Sequence, residues 1–401
     1  MLDAYIYDGL RTPFGRNAGA LAPVRPDDML AGVIRELVGR SSFDAADIDD
    51  VNVGCGNQAG EDSRCVARHA ALLAGLPIEV PGSVVQRNCG SGMNAIMSVA
   101  HAITCGEGDL FVAGGVESMS RAPFVVGKAE SPYSKNFSVF ESSLGARFPN
   151  PKLEAEYGDD VMPETADNLA RDFQLSREDC DKFAAGSQSK YAAAKADGFY
   201  HSEIIAVSVP GGRRKPDIEV SEDEHPRPNT DTETLGGMRP LFADGVTTAG
   251  NASGINDGAA AVIVASQAHG EKAGAAPMAR ILSTGVAGVA PRVMGFGPVP
   301  AAEKALERAG LTLSDMDVVE INEAFAAQVL ACMKGLDMDA DDARINPNGG
   351  AIAIGHPLGA SGTRIALTAI RQLHRTGGRY ALISMCIGIG QGIAMVLERA
   401  E

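Results

Sequence analysis

The sequence predicts a layered α/β fold built from two similar halves, and three observations predict it. β-rich runs alternate with Ala-rich helical stretches, the pattern of helices packed on a sheet. The character changes between about residues 120 and 250, where Ser, Pro and Gly interrupt charged segments, so this stretch reads as an insertion. A pattern from the first half also returns in the second. Asp47-Ile48-Asp49-Asp50-Val51-Asn52-Val53 resembles Asp315-Met316-Asp317-Val318-Val319-Glu320-Ile321, 268 residues on, and each follows a helix-like stretch, Met29–Val38 and Ala301–Ala309.

In chain order, Ala4–Tyr7 and Asp50–Gly54 read as strands, with Asp28–Val38 between them as a helix whose apolar residues recur at three and four positions. Val84-Val85 leads into Asn88-Cys89-Gly90-Ser91-Gly92 and a helix from Met93 to Thr104, then a strand, Leu110–Ala113, ending at Gly114-Gly115. Within the insertion, Thr165–Ala196 reads as one helix. The rhythm resumes after Asn251, with strands at Val318–Ile321, Tyr380–Ile383 and Ile393–Leu397 and a helix at Ala324–Met333. At nearly the same offset, Cys89 falls beside His356, Gly90-Ser91-Gly92 faces Ala360-Ser361-Gly362, and Gly114-Gly115 falls near Met385-Cys386. Two halves of one fold therefore bring together loops carrying Cys89, His356 and Cys386.

Composition narrows the function classes. A net charge of −16 argues against nucleic acid as a partner, because phosphate affinity needs a basic face. No apolar run approaches the ~20 residues that span a bilayer, so no membrane partner is expected. The start, Met-Leu-Asp-Ala-Tyr-Ile-Tyr-Asp, is not a secretory signal. The seven Cys are odd in number and form no C-x-x-C pair, which fits neither a disulfide framework nor a structural zinc site. Free thiols, no metal and a cytoplasmic location are the expectation.

Four segments carry candidate chemistry. Cys89 sits in a Gly-flanked turn before a helix, where the helix dipole favours thiolate; alone, it also fits a packing role. His356 tops the irregular run Asn346-Pro347-Asn348-Gly349-Gly350-Ala351-Ile352-Ala353-Ile354-Gly355-His356-Pro357, where a hydrogen-bonded structural His is the plain alternative. Cys386-Ile387-Gly388-Ile389-Gly390 follows a strand. It lacks the Lys-Ser/Thr of a phosphate loop, and a backbone N–H aimed at an oxyanion is the better functional reading. Asn322-Glu323-Ala324-Phe325 ends a strand, where a polar pair either faces a cleft or caps the next helix.

Together these segments resemble the thiolase family over essentially the whole chain, with Asn251-Ala252-Ser253-Gly254-Ile255-Asn256-Asp257-Gly258-Ala259-Ala260 as a fifth motif in the family's order. The resemblance implies a duplicated thiolase-type α/β fold: residues 1–120 plus 250–270 as the N-terminal half, 121–249 as a loop domain covering coenzyme A, and 271–401 as the C-terminal half. It implies Cys89 as the acylated nucleophile, His356 as the group that takes its proton, and Cys386 as the second acid/base. Asn322, holding a water with His356, would form one oxyanion hole; the backbone N–H groups of Cys89 and Gly388 would form the other. Ser253 would touch pantetheine and Arg227 the nucleotide end, while Met162, Met294 and Phe325 would line the acyl pocket, although ordinary core accounts equally for those three.

The implied reaction is coenzyme-A-dependent cleavage of a 3-oxoacyl-CoA, with coenzyme A as co-substrate, no permanently bound cofactor, and a homodimer or homotetramer as the assembly. The Gly-Ile-Gly turn at 388–390, where most members have three Gly, and the run Arg121-Ala122-Pro123-Phe124-Val125-Val126-Gly127-Lys128-Ala129-Glu130-Ser131 look most like thiolases acting on 3-oxoadipyl-CoA. For a dicarboxylic chain, Arg121, Lys128 and Arg147 are candidate cations, and the basic turn Arg213-Arg214-Lys215 either meets coenzyme phosphates or is a solvated turn. Gln86-Arg87-Asn88 departs from the family's usual Asn-Arg-Leu. Acetoacetyl-CoA as substrate, and a Cys–His thioesterase using Cys89 and His356 alone, are the alternatives; Cys386 distinguishes the last.

Overall fold

The computed structural model describes residues 2–400 except Glu130, Leu144, Ala146 and Arg214, so two residues of the motifs above, Glu130 and Arg214, lie outside the described residues. The first half runs β1 (Tyr5–Arg11), β2 (Gly15–Arg16), α1 (Pro26–Arg40), β3 (Asp50–Gly54), α2 (Val66–Ala74), β4 (Gly82–Val85), α3 (Ser91–Cys105) and β5 (Leu110–Ser118). The insertion holds β6 (Phe124–Val126), β7 (Val139–Glu141), α4 (Pro151–Tyr157), α5 (Met162–Asp172), α6 (Arg177–Ala196), β8 (Val207–Val209), β9 (Ile218–Val220) and α7 (Thr232–Gly236). The chain then re-enters the first half as β10 (Asn256–Ala265) and leaves it through α8 (Gln267–Ala273). The second half runs β11 (Ala279–Gly288), α9 (Pro298–Ala309), β12 (Val318–Ile321), α10 (Ala326–Gly335), α11 (Ala351–Ile354), α12 (Leu358–Thr376), β13 (Tyr380–Ile387) and β14 (Gln391–Arg399).

The strand order β12-β13-β14-β11-β1-β10-β5-β3-β4 contains the same pairing scheme twice. In the first half β1–β10 and β10–β5 are antiparallel, and β5–β3 and β3–β4 parallel. In the second, β11–β14 and β14–β13 are antiparallel, β13–β12 is parallel, and a single parallel bridge from Val319 to Ile345 stands where β4 would be. The halves join through two residue pairs, Tyr5–Arg280 and Ile6–Ala279. Register supports the repeat: Val53 pairs with Gly114 and its counterpart Ile321 with Ser384, so Gly114 corresponds to Ser384 and Gly115 to Met385.

Helices α3 and α12 pack on each other and on strands of both halves, forming a shared central layer. Its core holds Met93, Ile96 and Val99 of α3, Ile365, Leu367 and Ile370 of α12, and Val262, Ile281, Ile383 and Met395 from the strands. A second core buries Leu30, Ile34 and Leu37 of α1 with α2 and the first-half strands; a third buries Val299 and Leu306 of α9 with α10 and the second-half strands. Glycine permits the close approach in the middle: a Cβ on Gly92 would collide with the Gly359 carbonyl oxygen. Cys89 and His356 each lie three residues before one of these glycines, so the contact brings both loops to one end of the central layer.

The expected helix Thr165–Ala196 is two helices. Gln174 takes a left-handed φ of 52°, and Ser176 starts α6 with a capping box, its hydroxyl accepting from Asp179 N–H while the Asp179 carboxylate accepts from Ser176 N–H. The helix expected at Ala324 begins at Ala326, and its N-cap is Phe325, so the capping role considered for Asn322 and Glu323 is not theirs.

Candidate active site

Cys89 stands in the turn between β4 and α3. Asn88 bends the chain with a φ of 43°. The Ser91 hydroxyl then ties the turn, accepting from Arg87 N–H at 2.8 Å and donating to the Asn88 carbonyl at 2.7 Å. The Gly388 N–H donates to the Cys89 sulfur. Burial pushes the thiol up to about 11; the Gly388 N–H opposes this and the nearby Glu117 charge adds to it. At this helix start, desolvation is the largest influence on the thiol and acts against the thiolate.

His356 lies in the loop before α12. Its backbone N–H donates to Asn256 Oδ1 at 2.9 Å, and Gly355 passes so close to Asn256, with a φ of 107°, that a side chain there would collide. Its Nδ1 is 2.6 Å from Ser361 Oγ, and its Nε2 is 3.4 Å from Asn322 Nδ2. Burial, with the positive charge of Arg364, pushes the imidazole down to about 3, so it is neutral at ordinary pH.

Cys386 is buried near the end of β13, where Cys386 pairs with Gly392 and Ile387 with Gln391 before a three-residue turn, Gly388-Ile389-Gly390. Burial raises its thiol well above the ordinary value, and the adjacent Cys89 raises it further. Asn322 is close by, because β12 and β13 are neighbours and Asn322 N–H donates to the Ser384 carbonyl at 2.9 Å. Ile389 takes a φ of 69°, the left-handed region that a β-branched residue disfavours.

The remaining expected residues fall around this centre. Met294, Phe325 and Cys386 share one small apolar cluster with Ala166, Ala252 and Ala324. Met162, at the start of α5, puts its sulfur 3.7 Å from where a Cβ on Gly388 would be, with Asn88 Nδ2 at 3.8 Å from the same point. Ser253 is half-buried and its N–H donates to the Ala324 carbonyl at 2.9 Å, fastening it to the Asn322–Phe325 segment. Arg227 is exposed, its backbone N–H held by Gln188 Oε1 at 2.8 Å. Of the candidate cations, Arg121 is paired with Glu61 and Arg147 with Asn57, while Lys128 is exposed.

Sequence reasoning gave no role to three buried residues that hold these groups in place, Ser361, Asn256 and Glu117, and weighed a fourth, Glu323, only as half of a polar pair. Ser361 and Asn256 grip His356 as described. Glu323 accepts from Ser187 Oγ (2.6 Å), Asn346 Nδ2 (2.9 Å) and Ile352 N–H (3.1 Å), anchoring the loop that leads to His356. Glu117, buried at the end of β5, accepts from Gly56, Asn57 and Gly359 N–H groups. The available signal was a charged or amide residue at the end of a wholly apolar strand or beside glycine, where burial demands partners.

The chemistry at this junction is two thiols and a neutral imidazole with a backbone N–H aimed at one sulfur, and comparison with known proteins agrees. A family model for the thiolase N-terminal domain matches residues 4–268 and one for the thiolase C-terminal domain matches residues 275–399. The 3-oxoadipyl-CoA/3-oxo-5,6-dehydrosuberyl-CoA thiolase of Escherichia coli (strain K12) is 55% identical over 401 residues, covering all of both chains. A beta-ketoadipyl-CoA thiolase of Acinetobacter baylyi is 53% identical over the same length, again covering all of both. Among solved structures, human mitochondrial 3-ketoacyl-CoA thiolase in complex with CoA superposes with a TM-score of 0.91 at 38% identity, covering 100% of this chain and 98% of that one. An acetyl-CoA acetyltransferase of Bacillus anthracis superposes at 0.92 with 37% identity, covering 100% and 99%. The chain belongs to the thiolase family.

Proposed function

We propose that this enzyme catalyses coenzyme-A-dependent cleavage of 3-oxoadipyl-CoA to acetyl-CoA and a shortened, four-carbon dicarboxylic acyl-CoA, through an acyl-Cys89 intermediate. The Cys89 sulfur attacks C3 of the substrate while its proton passes to His356 Nε2. With the thiol raised and the imidazole lowered, thiol and neutral imidazole are the resting pair, and the proton moves only as the carbon–sulfur bond forms. The C2–C3 bond then breaks, its electron pair forming the enolate of acetyl-CoA, and the Cys386 thiol protonates C2. The Cys386 thiolate takes the proton of incoming coenzyme A, whose sulfur attacks the acyl group, and Cys89 leaves and recovers its proton from His356. The N–H groups of Cys89 and Gly388 serve one oxyanion and Asn322 with His356 the other; each such donor contributes on the order of 10²–10³ in rate.

The single observation that carries this reading is a second buried thiol, Cys386, near the end of the strand that leads into the Gly388 turn, whose N–H meets the Cys89 sulfur. A thioesterase needs no second thiol at the nucleophile, whereas carbon–carbon cleavage needs an acid for the departing carbon. Full-length relatives named for 3-oxoadipyl-CoA or beta-ketoadipyl-CoA, 51–55% identical, support the substrate. Residues 121–249 are the part we assign to covering coenzyme A, with Ser253 and Arg227 along it and Met162, Met294 and Phe325 at the acyl end. A homodimer or homotetramer in the cytoplasm completes the reading. It is supported by seven free cysteines, by the unpaired edge of β4, and by the exposed apolar side chains Phe124, Val126 and Val139 of the β6–β7 hairpin. The test is coenzyme-A-dependent cleavage of a panel of 3-oxoacyl-CoA thioesters. A kcat/KM for acetoacetyl-CoA ten-fold or more above that for 3-oxoadipyl-CoA would retire the dicarboxylic substrate.

A further inference from the structure

Glu117 lies near the end of β5 and Cys386 near the end of β13, two strands that take the same place in the pairing scheme of their halves. Cys386 at the end of its strand meets the Cys89 turn at the start of α3; Glu117 at the end of its strand meets the His356 turn at the start of α12. One carries a buried thiol whose ionisation the reacting sulfur opposes. The other carries a carboxylate that faces backbone.

Glu117 is fully buried, with no ion-pair partner among the described residues. Its Oε2 accepts from Gly359 N–H at 3.0 Å and Gly56 N–H at 2.9 Å, and its Oε1 accepts from Asn57 N–H at 3.0 Å. Cys55 Sγ lies 3.9 Å from Oε1, and Asp62 completes the cluster. A carboxylate in so apolar a place costs free energy that a neutral residue would not, and burial accordingly holds its carboxyl up to about 7. What the carboxylate does is join two halves: Gly56 and Asn57 follow β3 of the first, and Gly359 opens α12 of the second.

The His356 loop is thus fixed at three points. Asn256 takes the backbone N–H of His356, Ser361 takes its ring Nδ1, and Glu117 takes the N–H of Gly359, three residues on. Ser361 orients the ring from one turn further along, while Asn256, at the start of β10, ties the His356 backbone to the first half. The Glu117 bond sets the loop's distance from the strand ends beside Cys89.

We propose that Glu117 is a positioning residue for the reaction, holding His356 at proton-transfer range of Cys89 through the start of α12. The proposal rests on the thiolase reading of the site. Displacement of a reacting group by about 1 Å costs on the order of 100-fold in rate. Glu117→Ala, which leaves all three N–H groups without an acceptor, is therefore expected to lower kcat about 100-fold with KM within three-fold of wild type. Glu117→Gln keeps an oxygen for Gly359 but gives up one acceptor, and is expected to lower kcat about three- to ten-fold, with the same KM. A substrate-free readout accompanies these: the downfield proton of the short His356–Ser361 bond, assigned by its loss in His356→Asn, should persist in Glu117→Gln and disappear in Glu117→Ala.

Wild-type kcat in Glu117→Ala, or kcat and KM impaired in equal proportion, would overturn the proposal. If Glu117→Ala does not fold, Glu117→Gln decides: a three- to ten-fold loss of kcat at unchanged KM and melting temperature supports it, and unchanged kcat overturns it. Failure of both variants to fold would make the carboxylate a requirement of folding alone and overturn it too. Wild-type enzyme that cleaves none of the 3-oxoacyl-CoA panel would instead retire the thiolase reading, leaving the proton signal to report on the tether.

Discussion

His356 Nδ1 lies 2.6 Å from Ser361 Oγ, and that hydroxyl gives its own proton to the Pro357 carbonyl at 2.9 Å. Having spent its single proton, Ser361 can only accept from the ring, so Nδ1 carries the hydrogen and Nε2 offers a lone pair. The tautomer that a general base for Cys89 requires is therefore written into one turn of α12. Ser361→Ala removes the acceptor and leaves a buried N–H without a partner. We expect kcat to fall on the order of 100-fold with KM little changed, and stability to fall by about 1–3 kcal/mol, measured by steady-state kinetics and denaturant melts.

Cys386 separates carbon–carbon cleavage from simple thioester attack. Cys386→Ala should still form the acyl enzyme at Cys89 slowly but lose thiolysis, so intact mass after adding substrate should show an adduct that coenzyme A does not clear. Turnover at the wild-type rate would remove Cys386 from the mechanism.

These roles were legible in the sequence to different degrees, for physical reasons. Cys89 and His356 stand in glycine-rich turns and Cys386 just before one, which sequence spacing exposes, and the strand-helix alternation and the repeat are periodic signals. The roles of Glu117 and Asn256 were not readable, because they depend on contacts across one hundred residues or more: Glu117 acts on Gly359 and Asn256 on His356. The break in the expected helix 165–196 contains no Gly or Pro, although Ser176 and Asp179 stand at capping-box spacing. At Cys89 a helix start is visible in sequence, whereas the desolvation that raises the thiol is not.

Acid stability should report on His356. Its folded value, about 3, lies below the ordinary value of 6.5, so between these the unfolded chain binds more protons than the native one. By linkage, stability rises with pH through this window: the contribution is fully present above about 6.5 and lost as pH falls toward 3. The difference amounts to a few kcal/mol. His356→Asn should flatten unfolding free energy between pH 4 and 6.5, read from urea melts; an unaltered slope would contradict the buried neutral imidazole.

Ile389 is 60% exposed with a φ of 69°, so it gains little burial while a β-branched side chain holds a left-handed backbone. Such a conformation costs about 1–2 kcal/mol in an L-residue, partly offset in a glycine variant by the larger entropy of its unfolded chain. Ile389→Gly should raise stability by about 0.5–1 kcal/mol in chemical denaturation. If it also alters the ratio of kcat/KM for 3-oxoadipyl-CoA and acetoacetyl-CoA, the turn shapes the acyl site as well.

The most direct measurement is intact and peptide mass of wild-type enzyme mixed with 3-oxoadipyl-CoA in the absence of free coenzyme A. One equivalent of acetyl-CoA should appear as a four-carbon dicarboxylic acyl group becomes attached to Cys89, and added coenzyme A should remove that group as its thioester. Release of acetyl-CoA with no adduct on Cys89, or an adduct that water clears as fast as coenzyme A does, would contradict acyl transfer between two thiols.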